Sequence, residues 1–93
     1  MTSFLIFNFI LYNKGMLIVF TKHLKIKLEQ RKINKQFVVE TVKNPDLVRP
    51  TYSFREELYK KFGKHYLKVI IKRKKGHIIV LTTHWVAKTK DKL

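Results

Sequence analysis

The 93-residue chain contains no cysteine, which excludes disulfides, thiolate zinc sites and cysteine nucleophiles. Acidic residues are also scarce, because 6 Asp and Glu stand against 21 Lys and Arg, giving a net charge of +15. A two-metal nuclease site normally needs several convergent carboxylates, so scattered acidic residues disfavour that class. We therefore expect neither a metal ion nor an organic cofactor.

The chain also lacks an apolar run long enough for a membrane-spanning helix, which needs about 20 mostly apolar residues. Its two N-terminal runs, residues 4–12 and 16–20, are separated by Asn13, Lys14 and Gly15. No basic residue precedes Lys14 and no small-residue cleavage site follows, which disfavours a secretory signal. We therefore expect no stable membrane insertion. Because no feature of the sequence indicates an oxidising compartment, we expect a cytoplasmic protein.

Residues 1–15 form an apolar N-terminal extension with three open interpretations. They could precede the true initiator, Met16. They could form an additional strand, because Asn13, Lys14 and Gly15 are suited to turning a hairpin. They could instead anchor the chain at a membrane surface. Residues 16–93 are long enough for one domain with a modest core.

What the chain does contain is 45% hydrophobic and 13% aromatic residues, so it is not a disordered basic tail. A folded domain with this much positive charge usually has a polyanionic partner. RNA is the expected partner, with DNA as the alternative. The charge could also reflect a lysine-rich proteome.

The pattern along the chain predicts an α+β fold with the element order β-α-α-β-β-β. A short strand at 17–20 precedes a helix capped by Thr21, although residues 22–31 also alternate like a strand. Asn34 is expected to cap a second helix that ends at Asn44-Pro45, followed by an extended loop over 47–53. An antiparallel meander of strands at 55–62, 65–73 and 77–86 follows, with a basic tail from Lys88. The helices would pack on this antiparallel sheet, and the first strand would join one of its edges.

Several short motifs occur in an order that resembles a family of small domains related to the RelE/ParE toxin superfamily and to BrnT-type ribonuclease toxins. The matching residues are Thr21-Lys22-His23, Arg31, Ile33, Asn44-Pro45-Asp46, Tyr59, Gly63, Tyr66 and Thr82-Thr83-His84-Trp85. The resemblance covers residues 16–86 and departs at Lys27 and His84, where an arginine and an aromatic residue are usual. It implies a RelE-like fold, toxin activity such as mRNA cleavage, and an acidic antitoxin partner.

Metal-independent RNA cleavage needs a base, an acid and cations that stabilise the pentavalent phosphate. Histidine suits both proton-transfer roles, because its unperturbed pKa is about 6.5. We predict that His23 and His84 transfer protons and that Arg31 and Arg55 bind the phosphate. In the simpler interpretation His23 packs at the strand–helix junction and Arg31 is a surface charge at a helix end.

The remaining candidates would bind nucleic acid without taking part in the chemistry. Lysine and arginine contact phosphates, and tyrosine rings can stack on bases. The predicted set is Lys27, Lys72, Arg73, Lys74, Lys75, Tyr59 and Tyr66. The basic run could instead be a solvated turn that protects a sheet edge, and half-buried sheet tyrosines are the preferred interpretation of the two rings.

The sequence therefore predicts a toxin-type RNA-binding protein that acts as a metal-independent endoribonuclease of a toxin–antitoxin system. One alternative is a non-catalytic nucleic-acid-binding module with the same basic face. Another is a protein-interaction domain that binds an acidic partner.

Overall fold

The computed structural model describes the backbone of residues 6–13 and 16–87 and the side chains of residues 17–87. The predicted turn at Lys14 and Gly15 and the basic tail from Lys88 lie outside the described residues. The elements are β1 (Ile6–Asn13), β2 (Met16–Thr21), α1 (Lys22–Gln30), α2 (Lys35–Lys43), β3 (Leu47–Thr51), β4 (Arg55–Phe62), β5 (His65–Lys74) and β6 (His77–Val86). The fold is α+β, as the sequence predicts.

The six strands form one mixed sheet in the order β1-β2-β6-β5-β4-β3. The predicted antiparallel sheet is wrong in one respect, because β2 runs parallel to β6 with Ile18 opposite Ile78. A parallel pair needs a long crossover, and here α1, α2 and the meander provide it. β2 joins the edge of the meander as expected, and β1 pairs antiparallel with β2 on its outer side, where the sequence allowed an additional strand.

Residues 47–51, predicted as loop, instead form the edge strand β3, which pairs antiparallel with β4. The prediction failed because Pro50 cannot donate to a sheet ladder. An edge strand tolerates proline, since one of its sides needs no partner. Pro50 stands opposite Glu56 in the β3–β4 register.

Both helices begin at the predicted caps. Thr21 accepts a hydrogen bond from the Leu24 amide at 3.1 Å, and the Asn34 side chain accepts one from the Gln36 amide at 2.8 Å. α1 ends in a Schellman arrangement in which the Ile33 amide donates to the Leu28 carbonyl at 2.9 Å. No helix among the described residues is both long and apolar enough to cross a membrane.

The helices cover one face of the sheet, and the core lies between them. The strands contribute the buried side chains of Ile18, Phe20, Leu58, Leu67, Val69, Ile71, Ile78 and Val80, and the helices and the loop between them contribute Leu24, Leu28, Ile33, Val38, Val39 and Val42. Among the described residues, no helix lies on the opposite face of the central strands, which we call the open face.

A β-bulge at Leu81 sets which residues of β6 reach the open face. Ile71 pairs with Val80, whereas the preceding Ile70 pairs with Thr82, so Leu81 is an extra residue on β6. Strict alternation along β6 would put His84 on the same face as Val80, and the bulge puts the two residues on opposite faces. Val80 is fully buried under the helices, whereas Thr82 and His84 lie on the open face.

Candidate functional site on the open face

Two cross-strand rows bring polar residues together on the open face. One row runs from Tyr59 on β4 through Lys68 on β5 to His84 on β6. The next row runs from Glu57 on β4 through the apolar Ile70 on β5 to Thr82 on β6. Directly opposed side chains in an antiparallel pair have Cβ atoms about 4.5–5.5 Å apart, so Lys68 and His84 are immediate neighbours.

Glu57 connects the cations of this face. Its carboxylate lies 3.7 Å from the Lys68 ammonium and 3.8 Å from the Arg49 guanidinium. It also accepts a hydrogen bond from the Tyr59 hydroxyl at 3.0 Å. The side chains of Glu57 and Lys68 are only 18% and 22% exposed, so water screens this pair less than a fully exposed one. Glu57 therefore holds Lys68 in a defined position on the open face.

His84 is half-buried in a positively charged environment. Burial lowers its pKa from the ordinary value of 6.5, the charges of Lys68 and Arg31 lower the pKa further, and Glu57 partly opposes them. A lowered pKa means that the imidazole is mostly neutral at pH 7. A neutral imidazole carries a free lone pair and can accept a proton, which a general base must do.

Arg31 reaches the site from the end of α1. Its guanidinium donates to the Thr83 carbonyl at 2.9 Å and to the Thr82 hydroxyl at 3.3 Å. The described pairing of β2 with β6 stops at Val80, so the Thr83 carbonyl lies at an edge of β6 that β2 does not cover. Arg31 therefore anchors α1 to this edge and adds a cation beside His84.

Two further candidates lie along the same helix. His23, Lys27 and Arg31 are spaced by four residues and share one side of α1. At a rise of 1.5 Å per residue, His23 lies about 12 Å from Arg31 along the helix. His23 is exposed in the first turn of α1. The structure therefore brings Arg31 close to His84 but leaves His23 at the opposite end of the helix.

Arg55 also lies away from His84. It faces Lys72 at the start of β4, two rows from the row that contains His84. Tyr59 is the fourth residue after Arg55 along β4, which corresponds to a distance of about 14 Å. The basic run Lys72, Arg73, Lys74 and Lys75 lies at the same end of the sheet, and the Arg73 guanidinium forms a 2.8 Å ion pair with Glu56.

The two tyrosines have different surroundings. Tyr59 is only 5% exposed, and the Arg49 and Lys68 side chains lie 5.8 and 5.9 Å from its ring centre. Its ring therefore offers little surface for a base to stack on. Tyr66 is half-buried on the open face, two residues from Lys68 and opposite Val86, which places it beside the His84 row.

Sequence reasoning missed Lys68 and Glu57, whose charges act on His84, and Arg49, which pairs with Glu57. Lys68 could have been found, because it alternates with the apolar Leu67 and Val69 and therefore had to face away from the core. Its pairing with His84 depends on the strand register, which the bulge at Leu81 alters.

Within residues 17–87, no group of three or more His, Asp and Glu side chains is arranged to hold a metal ion. The charged groups that act on the His84 imidazole are the cations Lys68 and Arg31 and the carboxylate of Glu57. This arrangement can bind a phosphate and move a proton. Comparison of the chain with protein-family models, curated proteins and solved structures finds no match in any of the three.

Proposed function

We propose that the protein is a toxin-type RNA-binding protein that cleaves RNA without a metal ion, using the open face around His84. The observation that carries this proposal is the position of His84 between the cations Lys68 and Arg31, with a lowered pKa. These are a base in its active protonation state and two charges suited to a phosphate. The RelE-like resemblance of residues 16–86 supports the same conclusion, as does the net charge of +15.

In the proposed reaction His84 accepts the proton of a ribose 2′-hydroxyl. The 2′-oxygen bonds to the adjacent phosphorus, and the bond from phosphorus to the 5′-oxygen breaks. The products are a 2′,3′-cyclic phosphate and a 5′-hydroxyl, and the 5′-oxygen takes its proton from the Lys68 ammonium. Arg31 stabilises the negative charge that grows on the phosphate oxygens.

Glu57 is a positioning residue in this scheme. Its carboxylate lies 3.7 Å from Lys68, and the Tyr59 hydroxyl fixes it from the other side at 3.0 Å. The pair limits the rotamers of Lys68, so that less freedom is lost when a phosphate binds. Arg55 and the basic run at residues 72–75 contribute phosphate contacts farther along the strand of RNA.

The test is cleavage of single-stranded RNA by the purified protein in excess chelator. We expect cleavage with cyclic phosphate ends, and a loss of about 10²- to 10⁴-fold when the base is removed by His84→Gln. His65→Gln is the matched control, because His65 is exposed at the start of β5. Wild-type protein that leaves the RNA intact, or a His84→Gln variant as active as the control, would refute the catalytic proposal.

Non-catalytic nucleic-acid binding is the second candidate. Arg31 is already hydrogen-bonded to β6 and Lys68 is paired with Glu57, so both cations have structural partners. In this case RNA or DNA binds with a strong dependence on salt but is not cleaved. Binding to wild type and to His84→Gln with equal affinity, and no turnover by either, favours this candidate.

An acidic protein partner has its own candidate surface between the two helices. A pocket of about 490 Å³ is lined by Phe20, Lys25, Leu28, Glu29, Lys32, Ile33, Asn34 and Lys35. The Lys35 ammonium lies 5.0 Å from the centre of the Phe20 ring, and its pKa is lowered by burial and by Lys25. Apolar walls with a lysine rim fit an acidic amphipathic segment. If the product of a neighbouring small acidic reading frame copurifies with wild type but not with Lys35→Glu, the antitoxin proposal is supported.

A further inference from the structure

The turn between β3 and β4 has a backbone that its residues do not favour. Ser53 and Phe54 both have positive φ, of 64° and 59°. Glycine adopts positive φ without steric cost and asparagine tolerates it, so Asn-Gly is a preferred pair where two successive residues have positive φ. A serine followed by a bulky phenylalanine is therefore a strained choice, and such strain is concentrated at functional positions.

Packing does not compensate for this strain. Phe54 is 93% exposed and Tyr52, on the other side of Ser53, is 80% exposed. Two aromatic rings that project into water from a strained turn contribute little to the core. We call Tyr52 and Phe54 the aromatic tip.

Several cations lie at the same end of the sheet as the aromatic tip. Arg55 follows Phe54 directly and faces Lys72 across β5. The exposed residues Arg73, Lys74 and Lys75 continue from Lys72 into the neighbouring turn. The 2.8 Å ion pair between Arg73 and Glu56 ties β5 to the start of β4. Exposed rings beside cations are the combination with which proteins bind unpaired bases together with their phosphates.

We propose that the aromatic tip is a stacking subsite for unpaired bases of single-stranded RNA, separate from the His84 site. This inference rests on the proposed function and specifies its substrate as single-stranded. Arg55 and Tyr59 are about 14 Å apart along β4, and β6 lies two strands or about 10 Å to the side. The tip therefore contacts nucleotides some distance from the bond that His84 attacks, and a dinucleotide is too short to reach both.

The decisive variant carries Ser53→Asn together with Phe54→Gly, which gives the turn its preferred sequence. We expect a higher melting temperature, because the strain is relieved. We also expect affinity for single-stranded RNA to fall by about 5- to 150-fold, the range for loss of one stacking ring. Phe54→Trp should keep the affinity. Val48→Ala is the matched control, because Val48 is 47% exposed on β3 and outside the tip.

The outcomes separate this inference from the proposed function. Wild type and the turn variant should cleave a dinucleotide equally well, while only wild type binds a long strand tightly. An abasic strand, which keeps the phosphates, should bind both proteins with the same weaker affinity. If wild type binds and cleaves RNA and the turn variant retains full affinity, the aromatic tip is not a stacking subsite and the proposed function stands.

Two further outcomes would also overturn the inference. Wild-type protein that neither binds nor cleaves RNA refutes the proposed function and the subsite together. A turn variant that loses self-association on gel filtration while its RNA affinity is unchanged identifies the tip as a protein contact instead.

Discussion

The two faces of the same sheet differ in composition. On β5 the residues Leu67, Val69 and Ile71 face the helices and are 0% exposed. Tyr66 and Lys68, one residue away, face outward and are half-buried. Helices cover one face, where apolar side chains contribute to folding, whereas the uncovered face carries charged groups beside apolar residues such as Ile70. A single step along a strand therefore separates a packing residue from a candidate functional one.

The bulge at Leu81 shows how sensitive this division is. Without the extra residue, His84 would lie on the same face of the sheet as Val80, which is buried in the core. The bulge shifts the last part of β6 by one residue and turns His84 outward. Bulges are frequent beside active sites, where they redirect a side chain.

The largest expected difference between the faces is in stability. Leu67→Ala should lower the free energy of unfolding by about 2–5 kcal/mol, because it leaves a cavity under the helices. Lys68→Met, the neighbouring change on the open face, should cost less than about 1 kcal/mol, since its ion pair is partly exposed. Urea denaturation of both variants measures this. Equal losses would mean that the open face is also part of the core.

Arg31 connects the two faces, and its removal should have an intermediate effect. Arg31→Met deletes the hydrogen bonds to Thr82 and Thr83, and we expect a loss of about 1–2 kcal/mol in stability. Arg73→Met, which removes a more exposed ion pair with Glu56, is the control and should cost less. Thermal and urea unfolding report the difference. A smaller loss for Arg31→Met than for Arg73→Met would show that the edge contact does not anchor α1.

Glu57 should oppose RNA affinity while supporting cleavage. Glu57→Gln releases Lys68 and removes a negative charge, so RNA should bind more tightly. The slope of log K against log salt should steepen by about 0.7 for each additional phosphate of a single strand that the variant neutralises. Cleavage of bound RNA should slow, because Lys68 loses its fixed position. Glu40→Gln makes the same charge change at an exposed site on α2, and an equal effect there would assign the result to net charge alone.

The smallest expected effect is on the pH dependence of stability. The pKa of His84 is lower in the folded protein than its ordinary value of 6.5, because burial, Lys68 and Arg31 disfavour the imidazolium. The unfolded chain therefore binds a proton more readily. Stability should fall as the pH drops from about 6.5 through the folded pKa, and no such loss arises above that window.

His84→Gln removes this titration and serves as the comparison for the wild type. Urea denaturation at a series of pH values between about 7 and 5 should show a smaller decline for the variant. Parallel curves for the two proteins would mean that the His84 pKa is the same in the folded and unfolded chains.

The sequence was sufficient to predict the local elements of the fold. The caps at Thr21 and Asn34 and the strands β4, β5 and β6 follow from polar caps, alternation and turns at Gly63 and Gly76. It was not sufficient for β3, because proline occurs in edge strands but not in central ones. Whether the strand that contains Pro50 lies at an edge depends on the order of the sheet, which the local sequence does not show. The parallel pairing of β2 with β6 depends on tertiary packing, which no local pattern encodes.

The candidate site was predictable only in part. His84 and Arg31 were identified by residue type, and they lie together. Lys68 and Glu57 depend on cross-strand register, which sequence alternation does not determine. The aromatic tip was missed because serine and phenylalanine are not residues that favour positive φ.

The most direct measurement is the titration of the four histidine rings by NMR, free and with an oligonucleotide that lacks the attacking 2′-hydroxyl. In the free protein we expect a pKa for His84 below 6.5. With the uncleaved strand bound we expect that pKa to rise, because a phosphate beside the ring favours the imidazolium. A His84 pKa that stays unchanged while the oligonucleotide is bound would contradict an RNA site on the open face.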